Sequence, residues 1–235
     1  MVLTPIGWSN GITASGVFLF SCLFGLFFIY KSLKKKSRLL FMLGLVYFCA
    51  GLVYIGDTLD FITILVTNKN IANPMVFIGL LNWVWFPGAV VPAMFIGAEL
   101  IIPKRKWIII IVYLLLGIAF EVFLFLDPTT TITFVYPAVP GEDLINDNLI
   151  FESIPSIIAL IFLLSVLIFL GFGFLSKGVK SSGDIKKKFY SLSAGAFIYT
   201  IGAVFDGLLE PGFYLIFIRA AMILSALLFY YGLKE

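Results

Sequence analysis

Six acidic residues and one arginine fall inside, or at the ends of, otherwise apolar stretches: Asp57, Asp60, Glu121, Glu152, Asp206 and Glu210, with Arg219. A charge near the middle of a bilayer costs about 2.5–3.5 kcal/mol on insertion scales, so each such group needs a partner, a wet cavity or a proton. One cation cannot pair with six carboxylates, and the remainder must be protonated, hydrated or cation-bound. Asp57 and Asp60 are three residues apart and near one helix face, and Gly195, Tyr199, Gly202 and Asp206 fall within roughly 60° of one another at about 100° per residue. Arg219, Met222, Ile223, Ala226 and Tyr230 line up in the same way. These residues, with Tyr54, could form a polar pocket that binds a small ligand or a cation. They could equally supply relay carboxylates for transport, or simply fix helix packing through an Arg219 bridge to Asp206 and Asp57.

Other chemistry is excluded by residue type. There is no histidine, which removes His-based metal sites, haem ligation and Ser-His or Cys-His nucleophile pairs. Cys22 and Cys49 lie mid-span without a spacing partner and read as small packing residues. No metal centre and no cofactor is expected. An intramembrane acid hydrolase with Asp57 and Asp206 as its dyad would rest on two residues alone. The net charge of +3 reports membrane topology rather than nucleic-acid binding.

The elements that must position these residues are membrane helices. Apolar residues make up 61% of the 235-residue chain and charged residues 12%, where soluble domains carry roughly 25% charged residues. Spans of about 20 apolar residues recur near 11–30, 39–64, 75–101, 107–126, 151–175, 189–209 and 213–233. We therefore expect an all-α integral membrane protein, a single domain of seven transmembrane helices over 1–235. Strict apolar/polar alternation is absent, which argues against an outer-membrane barrel.

Every second connection is basic: Lys31 to Arg38, Lys104 to Lys106 and Lys177 to Lys188. All of the 16 cations except Lys69 and Arg219, and with Lys234 included, then fall on one side. Lys/Arg excess marks the cytoplasmic side, which predicts an outside N-terminus, a cytoplasmic C-terminus and a multi-pass protein of the cell membrane. The first span lacks the preceding basic region of a cleaved signal peptide and is expected to remain as a helix. Basic loops also suit anionic lipid headgroups.

Heights follow from a rise of about 1.5 Å per residue, which puts Asp57 about 27 Å and Glu121 about 21 Å from their cytoplasmic ends and Arg219 about 9 Å below the outer boundary. Asp57, Asp206 and Arg219 then share one layer. Gly117, one turn from Glu121, directs that acid toward other helices. Pro87, Gly88 and Pro92 predict a kink in helix three. Glu99 is expected to pair with the basic 103–106 loop. The 127–149 loop contains a β-prone run, Thr129 to Tyr136, then Pro137, Pro140 and Gly141; a short strand pair or lid and a disordered acidic loop are both open. Helix five, uniformly apolar from 157 to 174, reads as the most lipid-facing.

Seven helices with an outside N-terminus invite comparison with rhodopsins, but a retinal Schiff base needs a lysine that the last helix lacks, since it holds only Arg219 and the terminal Lys234. The chain resembles the seven-helix N-terminal sensor region of membrane histidine kinases, here standing alone. The likeness is carried by Ala203-Val204-Phe205-Asp206 at the end of helix six and by the run from Arg219 to Tyr230-Tyr231-Gly232 in helix seven. It implies a receptor-like sensor module, not an enzyme, with a ligand or cation in an outer pocket of Tyr54, Asp57, Asp60, Glu121, Tyr199, Asp206, Glu210 and Arg219. Signalling would pass through the basic loops to a cytoplasmic partner. The alternative from the residues is a transporter of small solutes, ions or protons using Asp57, Glu121 and Asp206, for which Pro87-Gly88 supplies one broken helix and no inverted repeat is evident.

Overall fold

The computed structural model describes residues 3–233. Lys234 lies outside them. The chain is a membrane protein with transmembrane helices: six helices are long and apolar enough to cross a bilayer, or seven if one bent pair is a single span. Helix α1 (Pro5–Lys35) starts earlier than hydropathy suggests, because Thr4 caps it by accepting from the Gly7 amide at 3.0 Å and Pro5 supplies a preset first-turn φ. It ends at Lys36 in the left-handed region, with Lys34 and Lys35 complementing the negative end of the helix.

Counted as one span, the bent pair comes second in the chain. Helix α2 (Arg38–Leu52) and helix α3 (Ile55–Thr67) meet at 42° across Val53 and Tyr54. The third is interrupted too, with α4 (Phe77–Trp83) followed by α5 (Phe86–Ile101). The expected kink is thus a break at Val84 and Trp85, placed so that Pro87 falls in the first turn of α5, where its missing N–H leaves no bond unmade. Pro92 stays inside the helix.

Helix α6 (Lys106–Leu126) leads through the one-turn α7 (Pro128–Thr131) into strand β1 (Ile132–Val135), which pairs antiparallel with β2 (Asn146–Leu149). Of the two readings of this loop, the strand pair is what forms. Ile132 is buried against Gly79 of α4, where an added Cβ would lie 2.8 Å from its side chain, so the hairpin sits on the end of the interrupted third span. The fifth span runs through α8 (Ile154–Val166), a π-helical stretch (Leu167–Phe172) and α9 (Gly173–Val179). Helices α10 (Gly183–Leu208) and α11 (Tyr214–Leu233) complete the bundle.

One end of the bundle, which we call the hairpin end, carries β1, β2 and the start of α1, whose Thr4 amide donates to the Glu142 carbonyl. The opposite, basic end carries the three lysine-rich connections. There Lys106 pairs with Glu99 as expected.

Helix five is not the most lipid-facing helix. The most apolar window of Ile154–Val179 is 44% buried, against 17% for Pro103–Leu126. Small residues explain the difference: Gly171 lets Phe197 approach and its carbonyl accepts from Ser193 at 2.8 Å. The outward side of α6 is instead bulky, with Ile108, Leu115 and Phe125 exposed. In lipid, close helix contact requires small side chains, and apolarity alone says nothing about which helix has them.

Candidate functional site

Arg219 organises the polar layer at the hairpin end. It is 5% exposed. Its Nε donates to Asp206 Oδ1 at 2.8 Å, and one terminal nitrogen donates to the Asn10 carbonyl at 3.0 Å, to Asn10 Oδ1 at 2.6 Å and to Thr13 Oγ1 at 3.2 Å. The guanidinium also lies 5.6 Å from the centre of the Tyr54 ring. Asp206 is completed by the Tyr54 hydroxyl, which donates to Oδ2 at 2.6 Å. Arg219 and Asp206 therefore form an ion pair braced by Asn10 and Thr13 of α1 and by Tyr54 at the break between α2 and α3.

The sequence puts these groups together through small residues. At Gly202 an added Cβ would come within 2.6 Å of Met222, so glycine there brings α10 against α11 one turn from the pair. The break at Tyr54 turns its ring out of the α2 axis and toward Arg219. Gly56 N donates to Asn82 Oδ1 at 2.7 Å, so an amide released by the break finds a side-chain partner, while the Tyr54 carbonyl accepts from Thr58 N at 3.1 Å and from Thr58 Oγ1 at 2.8 Å.

Asp57 belongs to a second cluster. It makes no ion pair with Arg219 among the described residues, although the two interact through space. Its Oδ1 accepts from Asn82 Nδ2 at 2.9 Å, and the same nitrogen donates to Asp147 Oδ1 at 2.8 Å. Trp83 Nε1 donates to the other Asp147 oxygen at 2.9 Å. Burial pushes the Asp147 carboxyl up to about 6, against the opposing pull of Asn82 and Trp83.

The remaining expected pocket residues stand apart. Asp60, wholly buried, has no room for a ligand: it accepts from Asn70 Nδ2 and from the backbone amides of Ile71 and Ile145, all within 2.9 Å, and so ties the 68–73 connection to the loop between the strands. Glu121 lies one turn beyond Gly117, which packs on Pro87 of α5, and one of its oxygens is buried with no hydrogen-bond partner among the described residues. Glu210 is exposed at the α10–α11 turn, where only its carbonyl is engaged, by the Tyr214 hydroxyl. Glu152 is also exposed, just ahead of the Ser153 cap of α8. Tyr199 stacks edge-on against Tyr47 at 5.5 Å beside an apolar cavity of about 40 Å³, deeper in the bundle, and its buried hydroxyl makes no well-formed hydrogen bond.

The expected pocket is thus two adjoining clusters. Arg219, Asp206 and Tyr54 make one with Asn10 and Thr13; Asp57 makes the other with Asn82, Trp83 and Asp147. Uncharged amides are what the sequence reading underweighted. Asn10 and Asn82 had the signal of a polar side chain beside or within an apolar span. No family model matches this chain, and no curated protein matches it.

Proposed function

We propose that this chain is a receptor-like sensor module of seven spans in the cell membrane, with its N-terminus and hairpin end outside and its basic end in the cytoplasm. A small ligand or cation would be taken at the polar layer, and a cytoplasmic partner would read the basic loops. The single observation that carries this reading is the polarity gradient along the bundle. Below the hydrogen bond between Tyr47 and Ser225, the interior toward the basic end is filled by Phe28, Leu40, Leu43, Leu170, Leu192 and Phe229. An apolar plug of this kind suits signalling by helix rearrangement and leaves no standing path for a solute or an ion. The likeness to histidine-kinase sensor regions in the Asp206 and Arg219 runs points the same way.

A transporter is the second reading, because two interrupted spans lie side by side and broken helices commonly build transport sites. Purified protein in liposomes loaded with a pH- or sodium-sensitive dye separates the two. With imposed proton or sodium gradients, the sensor reading expects flux no greater than in protein-free liposomes. Flux that disappears with Asp57→Asn would overturn it in favour of transport.

The orientation has its own test. In a background with Cys22 and Cys49 replaced, Ser182→Cys is expected to resist an impermeant thiol reagent in intact cells and to react after the membrane is opened. Labelling of intact cells would invert the topology.

A further inference from the structure

We infer that Asp57, Asn82 and Asp147 form a proton-operated latch, which fastens the β1–β2 hairpin to the breaks in the second and third spans. Asn82 is the joint: its oxygen holds the Gly56 amide in the first turn of α3, and its nitrogen holds one carboxylate from α3 and one from β2. An amide nitrogen has two hydrogens, so it satisfies one oxygen of each acid and has nothing left to offset their charges. Two carboxylates sharing one neutral donor repel each other, and such a pair relaxes by holding a proton between its members.

The charged groups around the pair supply no alternative. From α11 and α10, Arg219 and Asp206 both act on Asp57 through space, but Arg219 is committed to Asp206. From α4, Asn82 and Trp83 are uncharged donors, and opposite Asp147 in the strand pair stands Phe134. Asp60, next on α3, instead accepts from the Asn70 side chain and from the Ile71 and Ile145 backbone amides.

The step is a simple protonation. A proton from water adds to a carboxylate oxygen of the pair, which then carries one negative charge and holds the hairpin down. As pH rises the proton leaves, both acids are charged across Asn82, and the hairpin loosens from α4. The sign follows from acids whose folded-state pKa lies above the ordinary value: the stabilising contribution is complete below the usual carboxylate range near 4, falls as the pair's first proton leaves near 6, the Asp147 value, and is lost as the second leaves above it. The latch does not depend on whether the bundle senses or transports.

The test uses the full chain in lipid nanodiscs between pH 5 and 8, with melting temperature and hydrogen exchange of the hairpin amides, corrected for intrinsic exchange, as readouts. The native protein is expected to lose melting temperature as pH rises above 6, with hairpin exchange about tenfold faster or more at pH 8 than at pH 5. In Asp57→Asn the like charge is gone while both Asp147 acceptors keep their donors, so the step should move acid by about one unit or more. Should that variant fail to accumulate, Asp147→Asn is expected to flatten both readouts above pH 5. Flat behaviour of the native protein from pH 5 to 8, or a step that Asp57→Asn leaves in place, would overturn the latch.

Discussion

Replacing Arg219 by leucine is expected to destabilise the folded protein by about 3–5 kcal/mol, the usual loss when one partner of a buried ion pair is removed. The cost comes from what stays behind. Asp206 would keep the Tyr54 hydroxyl on one oxygen and have nothing on the other, with its charge uncompensated, while the Asn10 carbonyl and side chain and the Thr13 hydroxyl would each lose the same donor. Water entering from the nearby hairpin end softens the effect, which favours the lower part of the range. Arg219→Lys should recover only part of the loss. A single ammonium can reach Asp206 or Asn10, whereas the guanidinium presents Nε to one and a terminal nitrogen to the other. Melting temperatures in one detergent provide the measurement.

The second large effect is expected at Asn82. Asn82→Leu leaves the Gly56 amide, Asp57 and Asp147 without a shared partner, and each buried polar group left unpaired costs about 1–3 kcal/mol. Since Trp83 still holds Asp147 and protonation can relieve the acids, a total of about 2–4 kcal/mol is expected. Asn82→Asp is informative beside it. That change keeps an acceptor for Gly56 but places a third carboxylate among two, so it should be tolerated at pH 5 and much worse at pH 8. Denaturation of each variant at the two pH values checks both expectations.

Much of this arrangement is legible in the sequence because membrane physics is coarse. Hydropathy and lysine placement give the spans and the two ends, and counting residues from those ends brings Asp206 and Arg219 to one depth. Height along a helix is not direction around it, however. Glu121 shares the depth of the acids yet joins neither cluster, one of its oxygens being buried without a partner among the described residues, and Glu210 is only a turn beyond Asp206 but lies at an exposed corner. The break at Tyr54 has no proline to announce it; Gly51 and Gly56 flank it, and it is held by Asn82 from another span. Asn10 precedes the apolar run of the first span, and only the Thr4 cap and Pro5 carry the helix back far enough to include it. Asp147 lies in a long connection whose pairing with Ile132–Val135 fixes it beside Asn82, a contact between residues 65 apart that no local pattern encodes. The sharing of one amide by Asp57 and Asp147 is therefore a product of tertiary structure.

Asp206, and not Asp57, is the partner that neutralises Arg219 in the hairpin-end layer. The direct measurement is a double-mutant comparison of melting temperature in one detergent, using Arg219→Leu, Arg219→Leu with Asp206→Asn, and Arg219→Leu with Asp57→Asn. Removing the stranded Asp206 charge is expected to restore a substantial part of the stability lost in Arg219→Leu, and removing Asp57 to restore less. Equal melting temperatures for Arg219→Leu and its Asp206→Asn double variant, or a larger rescue by Asp57→Asn, would contradict it.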